Sequence, residues 1–286
     1  LEDIHQLPFT TKKNLRDQFP YGLLCVDLQE VIRLHSSSGT TGQAVVVFHN
    51  QNDIKNWADL VSRCMYMTGV RRDDVFQNLT GYGLFTGGLG FHQGLSKLGC
   101  TVVPTSAGLT ERQIILMKDF KATALFCTPS YALTIAERAR ELKVDTRSLA
   151  LRVGVFGAEP WTAQMRQEIE ERTGIKAQEA YGLTELGGPG VAFDCEAQDG
   201  LHINEDHFLA EIVDPQTLEP VPLGEKGELL FTALQRRAMP MIRYRTRDIT
   251  RMTDETCACG RTHARILRVT GRNDDMLIIR GVNVFP

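Results

Sequence analysis

Long hydrophobic runs are missing from this chain. No apolar stretch approaches the roughly 18 residues needed to span a bilayer, and no signal-peptide pattern opens it, so no membrane partner is expected. A basic surplus is missing too. The formal net charge is −3 and lysine and arginine are scattered, which argues against a nucleic-acid surface. A disulfide framework is also lacking: seven cysteines are an odd number without framework spacing. They read as thiols or metal ligands in a reducing, cytoplasmic setting. There is no internal repeat and no low-complexity tract. The 286 residues amount to one large domain or two smaller ones, and a chain of that size buries about three-quarters of its unfolded surface without staples. It starts at Leu1 and stops at Val284-Phe285-Pro286, just after the apolar run Met276 to Ile279. A fragment trimmed at both ends is the expectation.

What is present is a loop rich in hydroxyls and glycine, Ser36-Ser37-Ser38-Gly39-Thr40-Thr41-Gly42. Glycine permits positive φ and close approach, and the freed N–H groups and hydroxyls become donors to anionic oxygens. A Walker P-loop is excluded, because Gln43 stands where its lysine belongs and the first glycine of the spacing is absent. Taken alone, the loop reads equally well as a solvated turn between strands.

The first two-thirds alternate strand-like and helix-like segments. Ala44 to Phe48 is apolar and β-branched. Asp53 is read as the cap of a helix with Trp57, Leu60, Val61 and Cys64 on one face and Gly69 at its close. Thr101 to Val103 reads as a strand, and Thr110 with Gln113 as a capping box before the next helix. Thr123 to Cys127 is a strand, after which Thr128 and Pro129 open a helix carrying Leu133, Ala136 and Leu142. Arg152 to Phe156 is a strand, followed by a helix capped at Thr162 and stopped at Gly174. This alternation predicts an α/β fold with a mostly parallel sheet flanked by helices. Beyond Gly190 the segments Val191–Phe193, Leu201–Ile203, Phe208–Val213, Glu228–Thr232, Met241–Tyr244 and Ala264–Val269 are short strands separated by turns. They predict a compact antiparallel β subdomain. The expected division is 1–190 for nucleotide and acid binding, 191–270 for the β subdomain and 271–286 for a hinge. In such a sheet ligands sit at strand ends, and Ser36–Gly42, Gly157-Ala158-Glu159-Pro160 and Tyr181-Gly182-Leu183-Thr184-Glu185 all fall there.

These segments, with Tyr244-Arg245-Thr246-Arg247-Asp248 and Gly271-Arg272-Asn273-Asp274-Asp275, occur in the order seen in adenylate-forming enzymes. Three further stretches resemble the phenylacetate–CoA ligase family: Leu7-Pro8-Phe9-Thr10-Thr11-Lys12, Tyr82-Gly83-Leu84-Phe85-Thr86-Gly87-Gly88 and Arg280-Gly281-Val282-Asn283-Val284-Phe285-Pro286. The resemblance runs from end to end, and it implies an adenylate-forming enzyme core. It implies that Ser37, Ser38, Gly39, Thr40, Thr41 and Gly42 hold ATP phosphates. Gly157, Ala158, Glu159, Pro160, Tyr181 and Gly182 would then enclose the adenine, Asp248 would accept from ribose, and Arg272 would contact the nucleotide. Thr184 and Glu185 would be catalytic, with Glu185 on magnesium, and Asp274 would be the hinge of a C-terminal lid. Each residue has a plainer reading. Glu185 could favour a helix dipole, Tyr181 could be a core tyrosine, Glu159 and Pro160 a strand-to-helix turn, and Asp248 a salt-bridge partner of Arg245 or Arg247.

Tyr82, Phe85, Gly87 and Gly88 are the expected acid pocket, glycine leaving room and the aromatics offering stacking. The family pattern has an aromatic residue two places before Tyr82. This chain has Thr80, which leaves open which aryl acid is taken. The implied reaction activates the acid as acyl-AMP and passes it to coenzyme A. The alternatives are an adenylation unit loading a carrier-protein thiol, and a non-catalytic nucleotide-binding module. A homodimer is compatible with such a core. The family's lid carries a catalytic lysine that no lysine here matches, so this stretch by itself is expected to turn over weakly. Separately from the resemblance, Cys257-Ala258-Cys259, with Cys195 and His202 seven residues apart across a hairpin, could form a tetrahedral structural zinc site. The plainer reading is free thiols in a β core.

Overall fold

Residues 3–37 and 44–273 are described by the computed structural model, with the backbone of 277–279 and 282–284. Helices are α1 (Lys12–Asp17), α2 (Gln51–Met67), α3 (Thr86–Leu98), α4 (Thr110–Asp119), α5 (Pro129–Glu141) and α6 (Ala163–Thr173). The early strands are β1 (Val31–Ser36), β2 (Val46–Asn50), β3 (Val75–Asn78), β4 (Thr101–Val103), β5 (Ala124–Cys127), β6 (Val153–Gly157) and β7 (Lys176–Leu183). Next come β8 (Gly188–Asp194), β9 (Leu201–Ile203), β10 (Phe208–Val213), β11 (Gly227–Ala233) and β12 (Met241–Thr250). The last are β13 (Met252–Thr253), β14 (Arg265–Ile266), β15 (Gly271–Arg272), β16 (Leu277–Ile279) and β17 (Val282–Val284). No helix among the described residues is long and apolar enough to cross a membrane.

The fold is α/β, with a mostly parallel run of strands flanked by helices. A nine-stranded sheet runs in the order β13-β14-β9-β8-β7-β6-β5-β3-β4. Its β3 to β7 pairings are parallel, and from β7 outward the pairings turn antiparallel. A separate antiparallel sheet runs β10-β11-β12-β15, and β1 pairs with β2 as a hairpin. The segments after residue 190 are thus shared between two sheets: Val191–Phe193 and Leu201–Ile203 extend the large sheet, while Phe208–Val213 begins the small one.

Strand parity puts both faces of the parallel strands in apolar surroundings, because successive side chains point to opposite faces. In β5, Ala124 and Phe126 join the cluster under α2 and α3, with Trp57, Val61, Phe91 and Leu95. Leu125 and Cys127 join the opposite cluster, with Ile114, Met117, Ile135 and Ile169 from α4, α5 and α6. A third cluster joins the small sheet to the hairpin and β8 through Phe48, Val191, Phe231 and Tyr244.

Local signals placed several helix ends where they were expected. The Thr128 hydroxyl accepts from the Tyr131 N–H with Pro129 in the first turn, and α6 is capped by Thr162 and closed by left-handed Gly174. Two caps differ. Asn50, not Asp53, caps α2, and Asp53 is the third helical residue of a reciprocal capping box. The Asp53 carboxylate also accepts from the backbone N–H groups of Arg237 and Ala238, a tertiary use that local pattern cannot reveal. Thr110 is inside α4 rather than capping it. Its hydroxyl meets Tyr131, while the Gln113 amide donates to Ser106 and Gly108 carbonyls.

Helix α3 has no counterpart in the sequence reading. Gly87, Gly88, Gly90 and Gly94 each cost about 1 kcal/mol of helix propensity relative to alanine, so the stretch reads as a turn. Packing outweighs propensity. A Cβ on Gly90 would lie 2.4 Å from the Trp57 ring, and one on Gly94 would lie 2.4 Å from Val61 Cβ. The missing side chains let α3 lie against α2, and that contact carries Phe85, Thr86 and Gly87 to the cavity described next.

Candidate active site

A cavity of about 520 Å³ lies where the large sheet, the small sheet and the N-terminal segment meet. Its wall includes Ser37, Phe85, Gly87, Ala158, Tyr181, Gly182, Thr184, Glu185 and Arg272, nine of the residues singled out in the sequence. Three sequence-distant strand ends therefore do line one crevice. Ser38, Gly39, Thr40, Thr41, Gly42 and Asp274 lie outside the described residues. Ser37 holds the stem of that loop: its N–H donates to the Val45 carbonyl at 3.0 Å, and its hydroxyl accepts from the Val45 N–H at 3.2 Å.

Gly157, Glu159 and Pro160 flank the wall residue Ala158 in the chain but do not themselves line the cavity. Gly157 faces the neighbouring strand so closely that a Cβ would meet the Ala180 carbonyl oxygen at 2.3 Å. Ala158 then takes φ +68, a conformation that costs a non-glycine residue free energy and clusters at functional sites. The Glu159 carboxylate accepts from the Ser130 N–H at 2.7 Å, at the start of α5.

Asp248 is buried. It accepts from the Tyr181 hydroxyl at 2.6 Å and from Arg272 Nη1 at 2.7 Å. It thus fixes two groups that line the cavity. Arg245 and Arg247 pair with Glu228 rather than with Asp248. Burial, then the Asp248 charge, pushes the Tyr181 phenol well above its ordinary value. It stays a neutral donor.

Thr184 and Glu185 are buried in a short turn after β7. Arg236 fixes its backbone, donating to the Glu185 carbonyl at 2.8 Å and to the Phe48 carbonyl at 3.2 Å. Burial lowers the Arg236 pKa to about 10, so the side chain remains charged. The Glu185 carboxylate faces Lys12 Nζ at 3.3 Å. The sequence places Lys12 in a family-like stretch but assigns it no role, since its partner is remote in the chain. It is delivered by strand-like pairing of the N-terminal segment with β12: Thr10 N–H donates to the Arg243 carbonyl, and Arg245 N–H to the Thr10 carbonyl. Arg243 also donates to the His5 and Leu7 carbonyls and lies over the Phe9 ring. Thr11 and Asn14 then cap α1.

Tyr82 and Gly88 do not line the cavity. The Tyr82 hydroxyl accepts from Asn78 Nδ2 at 2.9 Å and meets His92 Nδ1 at 3.2 Å. A Cβ on Gly88 would meet the Gly81 carbonyl oxygen at 2.3 Å, so its role is close packing. Phe91 and Phe126, ring centroids 3.8 Å apart, line the cavity instead. Their spacing in the sequence reads only as core.

Arg166 of α6 bridges Glu179 of β7 at 3.3 Å and Asp194 of β8 at 2.7 Å. Burial and the neighbouring Asp194 push Glu179 from an ordinary 4.5 up to about 7, against the opposing pull of Arg166 and Arg268. Asp194 is raised as well, by burial. Between pH 4.5 and about 7 the folded chain therefore holds more protons at Glu179 than the unfolded chain, and stability falls as pH rises through that window. Glu179→Gln removes that slope. The variant gains on the parent between pH 5 and pH 8, by about 2–3 kcal/mol, and thermal melts at the two pH values check this. Parallel melting curves at both would contradict it.

The fold is an α/β core with a cavity walled by hydroxyl, carboxylate and cationic groups, and the chain belongs to the AMP-binding enzyme family, whose profile matches residues 20–235. A phenylacetate-coenzyme A ligase of Pseudomonas putida is 53% identical over 287 residues, covering 100% of this chain and 65% of that protein. The phenylacetate-coenzyme A ligase of Thermus thermophilus is 52% identical, covering 100% and 64%. A solved 2-hydroxyisobutyryl-CoA ligase, in complex with 2-HIB-AMP and CoA, superposes with TM-score 0.94 at 31% identity over 99% of this chain and 62% of that one. The chain thus spans just under two-thirds of the length of the relatives it matches.

Proposed function

We propose that this chain is the core of an ATP-dependent, AMP-forming acid–CoA ligase acting on an aryl acid of the phenylacetate type. The observation that carries this reading is the cavity's composition. Lys12, Arg245, Arg247 and Arg272 line it, each paired with a carboxylate that an incoming phosphate could replace, and Phe91 and Phe126 add an apolar wall. A polyphosphate fits the first and an aromatic ring the second. The relatives at 52–53% identity are coenzyme A ligases, which favours coenzyme A over a carrier-protein thiol as acceptor.

The chemistry has two steps. A carboxylate oxygen of the acid attacks the α-phosphorus of ATP, and pyrophosphate leaves. The thiol of coenzyme A then attacks the acyl carbon, and AMP leaves while the thiol proton passes to solvent. Free carboxylates are poor acyl donors, because the leaving group would be oxide; exchange for AMP removes that barrier. The protein's part is positioning and charge stabilisation. Tyr181 offers its ring face to adenine. Asp248 is a buried carboxylate bonded to the Tyr181 hydroxyl, and a carboxylate is the acceptor type that suits ribose hydroxyls. Lys12 is placed to exchange its contact with Glu185 for a phosphate oxygen.

Thr184 and Glu185 fit magnesium: a hydroxyl and a buried carboxylate, already facing a cation, are the oxygen donors a hard ion takes. When bound, magnesium would neutralise phosphate charge. Zinc enters this reading only as a structural ion, since none of its four candidate ligands lines the cavity. Residues 1–190 are assigned to nucleotide and acid and 271–286 to a hinge, while 191–270 divide between the outer edge of the large sheet and the small antiparallel sheet instead of forming one β subdomain. A panel of aryl and alkyl acids, assayed for AMP formation with full-length protein, ATP and coenzyme A, tests the proposal. Aryl-acid-dependent AMP with matching thioester is expected. AMP formation indifferent to every acid would remove the assignment.

A further inference from the structure

We propose that Cys195, His202, Cys257 and Cys259 form a closed structural zinc site that clasps the outer edge of the large sheet. This goes beyond the ligase reading and is independent of it. The four ligand atoms lie within 4.8 Å of one another. Cys195 follows the last residue of β8, and His202 is the middle residue of β9, opposite Phe193 across the β8–β9 pair. Cys257 and Cys259 come from the turn joining β13 to β14. There the Cys257 N–H donates to the Arg261 carbonyl at 3.2 Å and the Gly260 N–H to the Cys257 carbonyl at 2.8 Å. Left-handed Gly260, φ +82, closes this knuckle. β14 lies beside β9 with Arg265 opposite His202, so pairing alone brings the turn onto the hairpin.

Two of the separations match the edges of a coordination tetrahedron, and all of them lie within 4.8 Å. Zinc–sulfur bonds of about 2.3 Å and zinc–nitrogen bonds of about 2.0–2.1 Å put sulfur–sulfur edges at about 3.8 Å and sulfur–nitrogen edges at about 3.6 Å. Cys195 Sγ lies 3.7 Å from Cys257 Sγ, and Cys259 Sγ lies 3.6 Å from His202 Nε2. The sulfur pair is far beyond the roughly 2.05 Å of a disulfide. Thiols packed only as small hydrophobes have no reason to aim three sulfurs and an imidazole nitrogen at one point. Four protein ligands leave no open position, which is the structural rather than the catalytic arrangement.

The local architecture gives the ion something to do. β9 has three residues, and β13 and β14 have two each. Ladders this short hold an edge weakly. A metal that joins β8, β9 and the knuckle adds its binding free energy to folding. Zn²⁺ binding forms three zinc–sulfur bonds and one zinc–nitrogen bond, releases the three thiol protons to solvent and changes no oxidation state.

The test uses the full chain, produced with zinc in the medium and purified without chelator. Plasma mass spectrometry is expected to find about one zinc per chain, retained through dialysis. Stripping the metal should lower the thermal midpoint, and added Zn²⁺ should restore it. Co²⁺ put in its place should give thiolate-to-cobalt charge transfer and the strong visible bands of a tetrahedral site, a readout that needs no variant to fold. Cys259→Ser should cut the charge-transfer intensity by about a third, as one thiolate of three is lost. Well under one zinc per chain, with the same midpoint before and after chelation, would overturn the proposal. So would stoichiometric zinc undiminished in a Cys257→Ser/Cys259→Ser variant.

Discussion

Replacing Glu185 by glutamine is expected to lower acid-dependent ATP–pyrophosphate exchange on the order of a hundred-fold or more, the scale of losing one preorganised electrostatic group. The amide keeps the size of the side chain, and Arg236 grips the backbone carbonyl rather than the carboxylate, so the turn after β7 should hold its shape. What disappears is the charge. Without it Lys12 loses its partner, and the oxygen set left for magnesium is a hydroxyl and a neutral amide, poor ligands for a hard cation. Burial of Glu185 makes the loss large, since few water molecules can substitute. The measurement is pyrophosphate exchange across a magnesium series in full-length protein, with a thermal melt to show that folding is intact. Exchange within a few-fold of the parent, at every magnesium concentration, would end the role assigned to Glu185.

The second large effect is on folding. Glu228 in β11 is fully buried, 0% exposed. It accepts from Arg245 twice, at 3.0 and 2.6 Å, and from Asn273 Nδ2 at 3.3 Å, with Arg247 Nη1 at 3.6 Å. Removing one member of a buried pair strands the other, at a cost of about 3–5 kcal/mol. For a chain of this size Glu228→Ala should therefore drop the thermal midpoint on the order of 10 °C. Glu111, whose partner Arg138 is exposed, is the control: its alanine variant should stay within about 0.5 kcal/mol. Arg245 and Arg247 also line the cavity, so the carboxylate that stabilises the sheet orients cationic groups facing the site. A Glu228→Ala midpoint no lower than that of the Glu111 control would show that the pair contributes little.

Features governed by neighbours in sequence were legible. Thr128-Pro129 and Thr162 with Gly174 act within one helical turn, and the structure has them as read. Alternation of apolar strands with amphipathic helices follows from the same short range and gave the fold class. Cys195 and His202 could be paired because a hairpin couples residues seven apart. α3 was not legible, because its glycines are unfavourable for a helix until Trp57 and Val61 lie against them. Asp53 reads as a cap because its second job, accepting from the Arg237 and Ala238 amides, lies 184 and 185 residues away.

Composition and order along the chain supply the groups: the hydroxyl-glycine loop, the Thr184–Glu185 pair, the Asp248 carboxylate, and the Cys195, His202, Cys257 and Cys259 ligand set. Which of these groups meet is set by the packing of distant segments. It brought Lys12 to Glu185, exchanged the expected pocket residues Tyr82 and Gly88 for Phe91 and Phe126, and gave Asp248 to Tyr181 and Arg272 rather than to its neighbours Arg245 and Arg247. Local chemistry selects backbone conformation over a few residues. Contacts between distant segments form only where the sheets have already fixed the distance and direction between them.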